Sequence, residues 1–379
     1  MSTVTARIFA ELRGDRVIWA ILVLLAIFSI LAVYSSTGSL AYKKQGGNTE
    51  VFLIKHGVIM LGGLMLVYIT HLLPHDRFRK WASIMLAIAA PLLIYTLFFG
   101  VNINEAKRWI MLPGIGVTLQ TSAFAKIALI VYVAAAISGK QDYIKDFKSA
   151  FLPIIVPVLI ICGLIAPADL SSAALLFLTC ILMMFIGRVA IKYIFILMFW
   201  GVIVFAGLLL LGKEYPNVVR VTTWEKRFEE FMNDADGGYQ VKQAKIAIAN
   251  GGVIGLGPGN SRQRNYLPSP YSDFIYAIIC EEYGVIGGIL VIALYLLLFF
   301  RVVRLVTKSE KAFGAMVAMG LSISLIIQAF ANIAVSIHLV PVTGVTLPFI
   351  SMGGTSLLFT AFAFGIILSV SKYIESQVN

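Results

Sequence analysis

Apolar residues run along this chain in long blocks broken by short polar stretches, and a window of about 20 residues finds ten blocks that could cross a bilayer. They are Val17–Tyr34, Val51–Leu73, Trp81–Phe99, Val117–Ile137, Phe151–Ile165, Leu170–Ile186, Ile191–Leu211, Phe274–Phe300, Phe313–Ile337 and Leu347–Val370. The fifth and sixth are short and divided only by Ala166-Pro-Ala-Asp-Leu170, which predicts a tight hairpin; the alternative count is eight spans and a re-entrant pair. The pattern predicts an all-α polytopic membrane bundle of about 10 transmembrane helices, forming one domain over residues 1–379. One interruption, residues 212–272, is much longer than the others, and loops of that length usually carry structure or function. Within it, Trp224-Glu-Lys-Arg-Phe-Glu-Glu-Phe-Met232 repeats apolar residues at three- and four-residue spacing, which predicts an amphipathic helix at the interface. Residues Gly237–Ala249 predict a second helix, and a glycine-rich run, Gly251–Gly259, follows.

Composition agrees with the pattern. With 59% hydrophobic and 13% charged residues, and a mean hydropathy of +0.91, the chain could not hide its apolar surface in a water-soluble core. Charge adds an orientation. If the N-terminus is cytoplasmic, that side receives Arg7, Arg13, Arg16, Arg77, Arg79, Lys80, Lys140, Lys145, Lys148, Arg188, Lys192, Arg301, Arg304, Lys308, Lys311 and Lys372. The short opposite loops carry Lys43, Lys44, Lys107 and Arg108, with Lys55 near a boundary. Basic residues near span ends stay cytoplasmic, so both termini are expected inside and the 212–272 loop outside. The net charge of +11 then reports topology and affinity for anionic lipids, not nucleic-acid binding. The first span is longer than a secretory h-region and reads as an uncleaved anchor. Cys162, Cys180 and Cys280 lie inside apolar blocks and suggest buried thiols, not a disulfide framework or a zinc site.

Several polar residues sit where lipid makes them costly. Asp273 ends the long loop at the start of the eighth span, a carboxylate at the outer membrane edge. Lys126 lies one to two turns inside a span, where a cation must snorkel or face a cavity. Asp169, just before Leu170, reads mainly as a helix N-cap. Arg108-Trp109 suits either an interfacial anchor or a phosphate contact, and His338 reads as a satisfied or interfacial histidine. The glycine-rich run ends in no Gly-Lys-Ser/Thr and follows no strand, so it is either a flexible or tightly turned connector or a groove of backbone N–H groups for phosphate or sugar.

Taken together and in this order, Asn104-Glu-Ala-Lys-Arg-Trp109, Gln120–Lys126, Pro167-Ala-Asp-Leu170, Gly238-Tyr-Gln-Val-Lys-Gln243, Leu267–Ala277 with Glu281–Gly287, and Thr346–Ser356 make the chain resemble the SEDS family of bacterial membrane proteins (shape, elongation, division and sporulation). Thr346-Leu-Pro-Phe-Ile-Ser351 is closer to the division branch, FtsW, than to the elongation branch, RodA. The resemblance implies a peptidoglycan glycosyltransferase in the bacterial cytoplasmic (inner) membrane that polymerises lipid II on the outer face, in septal wall synthesis. It also implies partners: the growing glycan strand, a class B penicillin-binding protein transpeptidase and other divisome membrane proteins. Asp273 matches the family's essential aspartate, and Arg108, Lys126, Gln120, Ser122, Gln240, Lys242 and Gln243 are the substrate-binding candidates.

The chain departs from the family in two places. Thr121 and Ala123 replace the usual proline and acid before the lysine, so no role of that acid carries over. Tyr271-Ser-Asp-Phe274 replaces His-Thr-Asp-Phe, so no imidazole precedes Asp273. The reaction needs a base for the attacking hydroxyl and positive charge for the departing diphosphate, which Arg108 and Lys126 could supply. No cofactor is required; a divalent cation (Mg or Mn) could share the charge, although no dedicated ligand cluster is seen. On a straight helix Glu281 stands about 12 Å from Asp273 and Glu282 faces away, so a two-carboxylate pair is not expected and a lone base with inversion fits better. The rival readings are a lipid II flippase and a non-catalytic scaffold for the transpeptidase.

Overall fold

The structure, a computed structural model, describes residues 14–38, 40, 49–103, 106–111, 118–214, 221–233 and 237–378. The expectations for Arg7, Arg13, Lys43, Lys44, Asn104, Glu105, Val117 and parts of the 212–272 loop lie outside the described residues. Twelve α-helices are described: α1 (Arg16–Ser36), α2 (Glu50–Leu72), α3 (His75–Phe99), α4 (Thr121–Ser138), α5 (Leu152–Ile165), α6 (Leu170–Ile186), α7 (Ile191–Glu214), α8 (Val221–Asn233), α9 (Gly238–Gly251), α10 (Ile275–Val306), α11 (Ala312–Ser336) and α12 (Thr355–Val378). Among the described residues eight helices are long and apolar enough to cross a membrane; α6 and the first part of α7 are shorter apolar helices. These helices occupy the ten predicted blocks, and the protein is a multi-pass helical membrane protein. Leucines, isoleucines and phenylalanines exposed on α1, α2, α3 and α10 are what lipid contact demands of such helices.

Four expectations are corrected. The outer stretch after Gly100 contains a three-stranded antiparallel sheet, β1 (Val101–Ile103), β2 (Ala106–Met111) and β3 (Thr118–Gln120), in the order β1-β2-β3. Trp109 pairs with Gln120 across it, so the backbone groups there are satisfied by ladder bonds. Accordingly the helix of the fourth span starts at Thr121, and Thr118–Gln120, expected within the span, form β3. The third starts at His75, because Pro74 leaves the helix N-terminus there and the polar residues to Lys80 form its first turns. The last starts at Thr355, not Leu347, since Pro348 and the glycine pair Gly353-Gly354 keep residues 347–354 out of a helix.

One end of the bundle is tied by ion pairs. Asp15 caps α1, accepting from the Val17 N–H at 2.8 Å, and its other oxygen meets Arg301 Nη2 at 2.6 Å. Lys311 Nζ meets Asp76 Oδ2 at 2.7 Å at the same end. At the other end of α1, Ser35 donates to Glu282, and Asn332 of α11 donates to the Asp273 carbonyl at 2.7 Å. Roughly 30 Å of helix separates Arg301 from Glu282, and Lys311 from Asn332, which is the thickness of a hydrocarbon core. Asp273 and Glu282 therefore lie at about one level, although nine residues separate them in sequence.

A break in α10 makes that placement geometrically consistent. Gly284 has φ 67° and ψ −170° inside the helix, a conformation that favours glycine. A Cβ on Gly288 would lie 2.7 Å from Cys280 Sγ, a contact that a straight helix, with about 12 Å between residues eight apart, would forbid. Carbonyls freed at the break are taken by the glycine-rich run: Leu256 N–H donates to Glu281 O and Gly257 N–H to Glu282 O, each at 3.0 Å, while Val285 N–H reaches Gly252 O at 2.9 Å. Backbone meets backbone so closely that a Cβ on Gly255 would lie 2.2 Å from Glu282 O. These glycines thus act as the tight connector, and the N–H groups of Leu256 and Gly257 are already committed. Glu281 and Glu282, both buried, hold the following loop: Ser261 Oγ donates to Glu281 at 2.5 Å, the Gln263 N–H at 3.2 Å, and Ser261 N–H to Glu282 at 3.3 Å.

Candidate active site

Asp273 is positioned by its backbone. Asn332 grips its carbonyl and that of Val345, at 2.7 and 2.8 Å. Ser351 Oγ donates to the Ser272 carbonyl at 2.7 Å while accepting Leu347 N–H at 2.8 Å, and Met352 N–H donates to the Tyr271 carbonyl at 2.9 Å. Residues 271–273 are thereby fixed to the segment joining α11 and α12. Phe274, buried with Ala277 and Ile278 against Ala244 and Ala247 of α9, anchors the other side. The carboxylate itself accepts one hydrogen bond, from Ser272 Oγ at 2.7 Å, and keeps part of its surface accessible.

A charged network faces it. Arg108, on β2, donates through Nε to the Ala168 carbonyl at 3.0 Å and places Nη1 3.3 Å from Asp169 Oδ2. Asp169 does cap α6, accepting Ser172 N–H at 3.1 Å, but it also accepts the Ser172 hydroxyl at 2.8 Å. Lys126 Nζ donates to that same hydroxyl at 3.3 Å. The intramembrane cation is thus linked through one serine to a buried carboxylate, which offsets its desolvation. Ser122, one turn before Lys126, is buried with no hydrogen-bond partner for its hydroxyl, and lines a small cleft with Arg108, Asp169, Thr121, Leu93 and Leu97.

The remaining candidates are placed differently. Gln120 ends β3, and its N–H donates to Thr355 Oγ1 at 3.1 Å, while Thr355 donates to the Thr118 carbonyl at 2.9 Å, tying the sheet to α12. Gln240 and Lys242 are exposed on α9 and Gln243 is half-buried, on a helix packed over the first stretch of α10. No described contact carries them to the Asp273 carboxylate. His338, with φ 60°, packs edge-on to Phe231 5.1 Å away, as a structural histidine would.

Arg227 is the residue the sequence reading passed over. It lies on α8 among the residues read as a membrane-surface helix, and its Nη1 donates to the Val342 carbonyl at 3.1 Å. A Cβ built on Gly344 would stand 3.8 Å from Asp273 Oδ2 and 4.0 Å from both terminal nitrogens of Arg227. Helical periodicity marks which face of α8 is apolar; it says nothing about which cation on the other face turns inward.

Burial pushes the Asp273 carboxyl above the ordinary carboxylate range; the Ser272 hydrogen bond and the charges of Arg108 and Arg227 oppose this, and Asp169 reinforces it. A base acts when ionised, so turnover should rise with pH along a limb displaced above the usual carboxylate value of about 3.9. A kcat/KM profile whose acid limb falls at or below that value would remove Asp273 from the role. For stability the sign is opposite: the raised group favours the fold below the ordinary value and loses that contribution as pH climbs through the raised one.

A carboxylate with raised basicity near the two cations Arg108 and Arg227, at the end of a membrane bundle, suits deprotonation of a hydroxyl next to an anionic leaving group. Comparison with known proteins gives the family to which such a site belongs. The model of the FtsW/RodA/SpoVE cell cycle protein family matches residues 15–376. A probable peptidoglycan glycosyltransferase FtsW of Geobacter sulfurreducens is 34% identical over 372 residues, covering 96% of each chain. Stage V sporulation protein E of Bacillus subtilis is 33% identical over 367 residues, covering 95% of this chain and 97% of its own. Among solved structures, a chain of a peptidoglycan synthase complex that coordinates polymerization and crosslinking superposes with a TM-score of 0.71 at 23% identity, covering 95% of this chain and 98% of that one.

Proposed function

Because the chain belongs to the FtsW/RodA/SpoVE family of cell cycle proteins, we propose that it is a peptidoglycan glycosyltransferase that joins lipid II units into glycan strands on the outer face of the bacterial cytoplasmic membrane, in septal wall synthesis. The observation that carries the reading is the pairing of a backbone-clamped, half-buried carboxylate at Asp273 with the Arg108–Asp169–Ser172–Lys126 network. Asp273 takes the proton of the attacking sugar hydroxyl as it displaces the polyprenyl diphosphate at the anomeric carbon with inversion. Arg108 and Lys126 meet the leaving diphosphate, and Ser122, Gln120 and the α9 residues Gln240, Lys242 and Gln243 contact the rest of the substrate. Among the described residues no group of three or more His, Cys, Asp or Glu side chains converges. A magnesium or manganese ion would share the charge of the diphosphates, as magnesium does where it binds one or two carboxylates together with substrate phosphates.

The orientation rests on the positive-inside asymmetry: the end carrying Arg301, Arg304, Lys308 and Lys311 is cytoplasmic and the Asp273 end faces outward. The partner is a class B penicillin-binding protein transpeptidase, with other division membrane proteins beside it. The test gives purified protein, alone and with that transpeptidase, labelled lipid II; glycan polymer in either sample is expected. Its absence in both, together with lipid II scrambling across liposomes, would replace the enzyme by a transporter.

A further inference from the structure

Polymerisation joins two substrates that each carry a diphosphate on a polyprenyl chain, so two polyanions must be held near one base. The network beside Asp273 accounts for one of them. Its two cations, Arg108 and Lys126, share the single carboxylate of Asp169, directly at 3.3 Å and through Ser172. That leaves one unit of positive charge in excess, anchored at the turn between α5 and α6. Arg227 comes to Asp273 from a different part of the protein. It is carried by α8 and tied to the Val342 carbonyl at 3.1 Å, in the segment between α11 and α12.

Between Arg227 and Asp273 lies a niche made by an absent side chain. The Cβ position of Gly344 is 3.8 Å from Asp273 Oδ2 and 4.0 Å from both Arg227 Nη atoms, and the φ of +69° there disfavours any other residue. A planar guanidinium at such a niche suits bidentate capture of a phosphate better than a lysine would. Resting on the polymerase reading above, we infer that Arg227 binds the diphosphate of the second lipid-linked substrate, across Asp273 from the Arg108–Lys126 group. The protein then has two diphosphate subsites, and α8 brings one of them. Apolar residues on the same helix fit this delivery: Phe228 and Met232 are 59% and 64% exposed, as side chains that rest in the head-group layer would be.

The test compares wild type with Arg227→Ala and Arg227→Lys in nanodiscs, measuring polymerisation rate against lipid II concentration. Arg227→Ala should raise KM about tenfold with kcat changed by less than about threefold, and Arg227→Lys should recover part of the loss. A second measurement counts lipid II bound at saturation by native mass spectrometry in the Asp273→Asn background, where turnover is slowed about a hundredfold or more. About two bound molecules are expected in that background and about one when Arg227→Ala is added, two being one per proposed subsite. Thermal unfolding in detergent checks that α8 still docks. An unchanged count of bound lipid II, or a lowered kcat at constant KM that lysine does not restore, would make Arg227 a clamp for α8 and overturn the assignment. If wild type makes no polymer at all, the enzymatic reading fails, whereas the count of bound lipid still tests the second subsite.

Discussion

Asp273→Asn is expected to slow glycan polymerisation by about a hundredfold to ten-thousandfold, the range that a positioned general base contributes, while the protein folds and binds lipid II. Asparagine keeps the shape and still accepts the Ser272 hydrogen bond, now 2.7 Å long. The contacts that hold the residue in place are made by its backbone, to Asn332, and by its neighbours, to Ser351 and Met352, so none is lost. What disappears is the capacity to take a proton. The measurement is initial polymerisation rate with the transpeptidase present, beside thermal unfolding of both proteins. Unfolding at the wild-type temperature with polymer made at the wild-type rate would remove Asp273 from the chemistry. A drop in unfolding temperature that matches the lost activity would make the residue structural.

The largest effect on stability is expected at Gly255. Gly255→Ala puts a methyl group 2.2 Å from the Glu282 carbonyl oxygen and 2.6 Å from the Gly284 nitrogen, both backbone atoms in the break of α10. Neither can rotate aside. The residue also has φ +93°, where an alanine is strained in any surroundings. Overpacking and strained backbone each cost about 1–3 kcal/mol, so a loss above about 3 kcal/mol is expected. Gly259 supplies the control, since it shares a positive φ of +79° but has open space at its Cβ position. Gly259→Ala should therefore cost only the strain, about 1–2 kcal/mol. Detergent-solubilised unfolding curves compare the two; equal losses would mean that the close packing at the break contributes nothing.

Much of the fold was legible because burial in lipid writes itself into composition. Ten apolar blocks became ten helices, Trp224–Met232 and Gly237–Ala249 became α8 and α9, and the pair around Asp169 became the α5–α6 hairpin. The small sheet was hidden, because β1 and β3 have three residues each and too few positions to establish a period of two. Residues 347–354 were apolar enough to extend the last span, and only Pro348 and the glycines marked them otherwise. Within the site, Asp273, Arg108 and Lys126 stood out as charges at membrane edges. Asn332 and Ser351 carried the same kind of signal, as polar groups inside apolar blocks, and could have been found by it. The place of Asp169 just before a helix marks it as a cap, which is correct locally; its ion pair with Arg108 spans 61 residues of chain and has no periodic trace. Arg227 needed the third dimension, since nothing in its own helix distinguishes it from Lys226, which is exposed beside it.

The break at Gly284 separates two jobs that one helix would otherwise have to share. Below it, Val285–Val306 crosses the bilayer and is tied at its far end to Asp15; above it, Ile275–Tyr283 is held by α9 and the Glu281 loop. Membranes differ in thickness, and spanning helices answer by tilting. The glycine-rich run clamps the break on both sides, so the two stretches hold a fixed angle and a tilt of the lower one is carried to the upper one and the elements around it. A change in bilayer thickness is then felt at the base, much as a mast carries the roll of its hull.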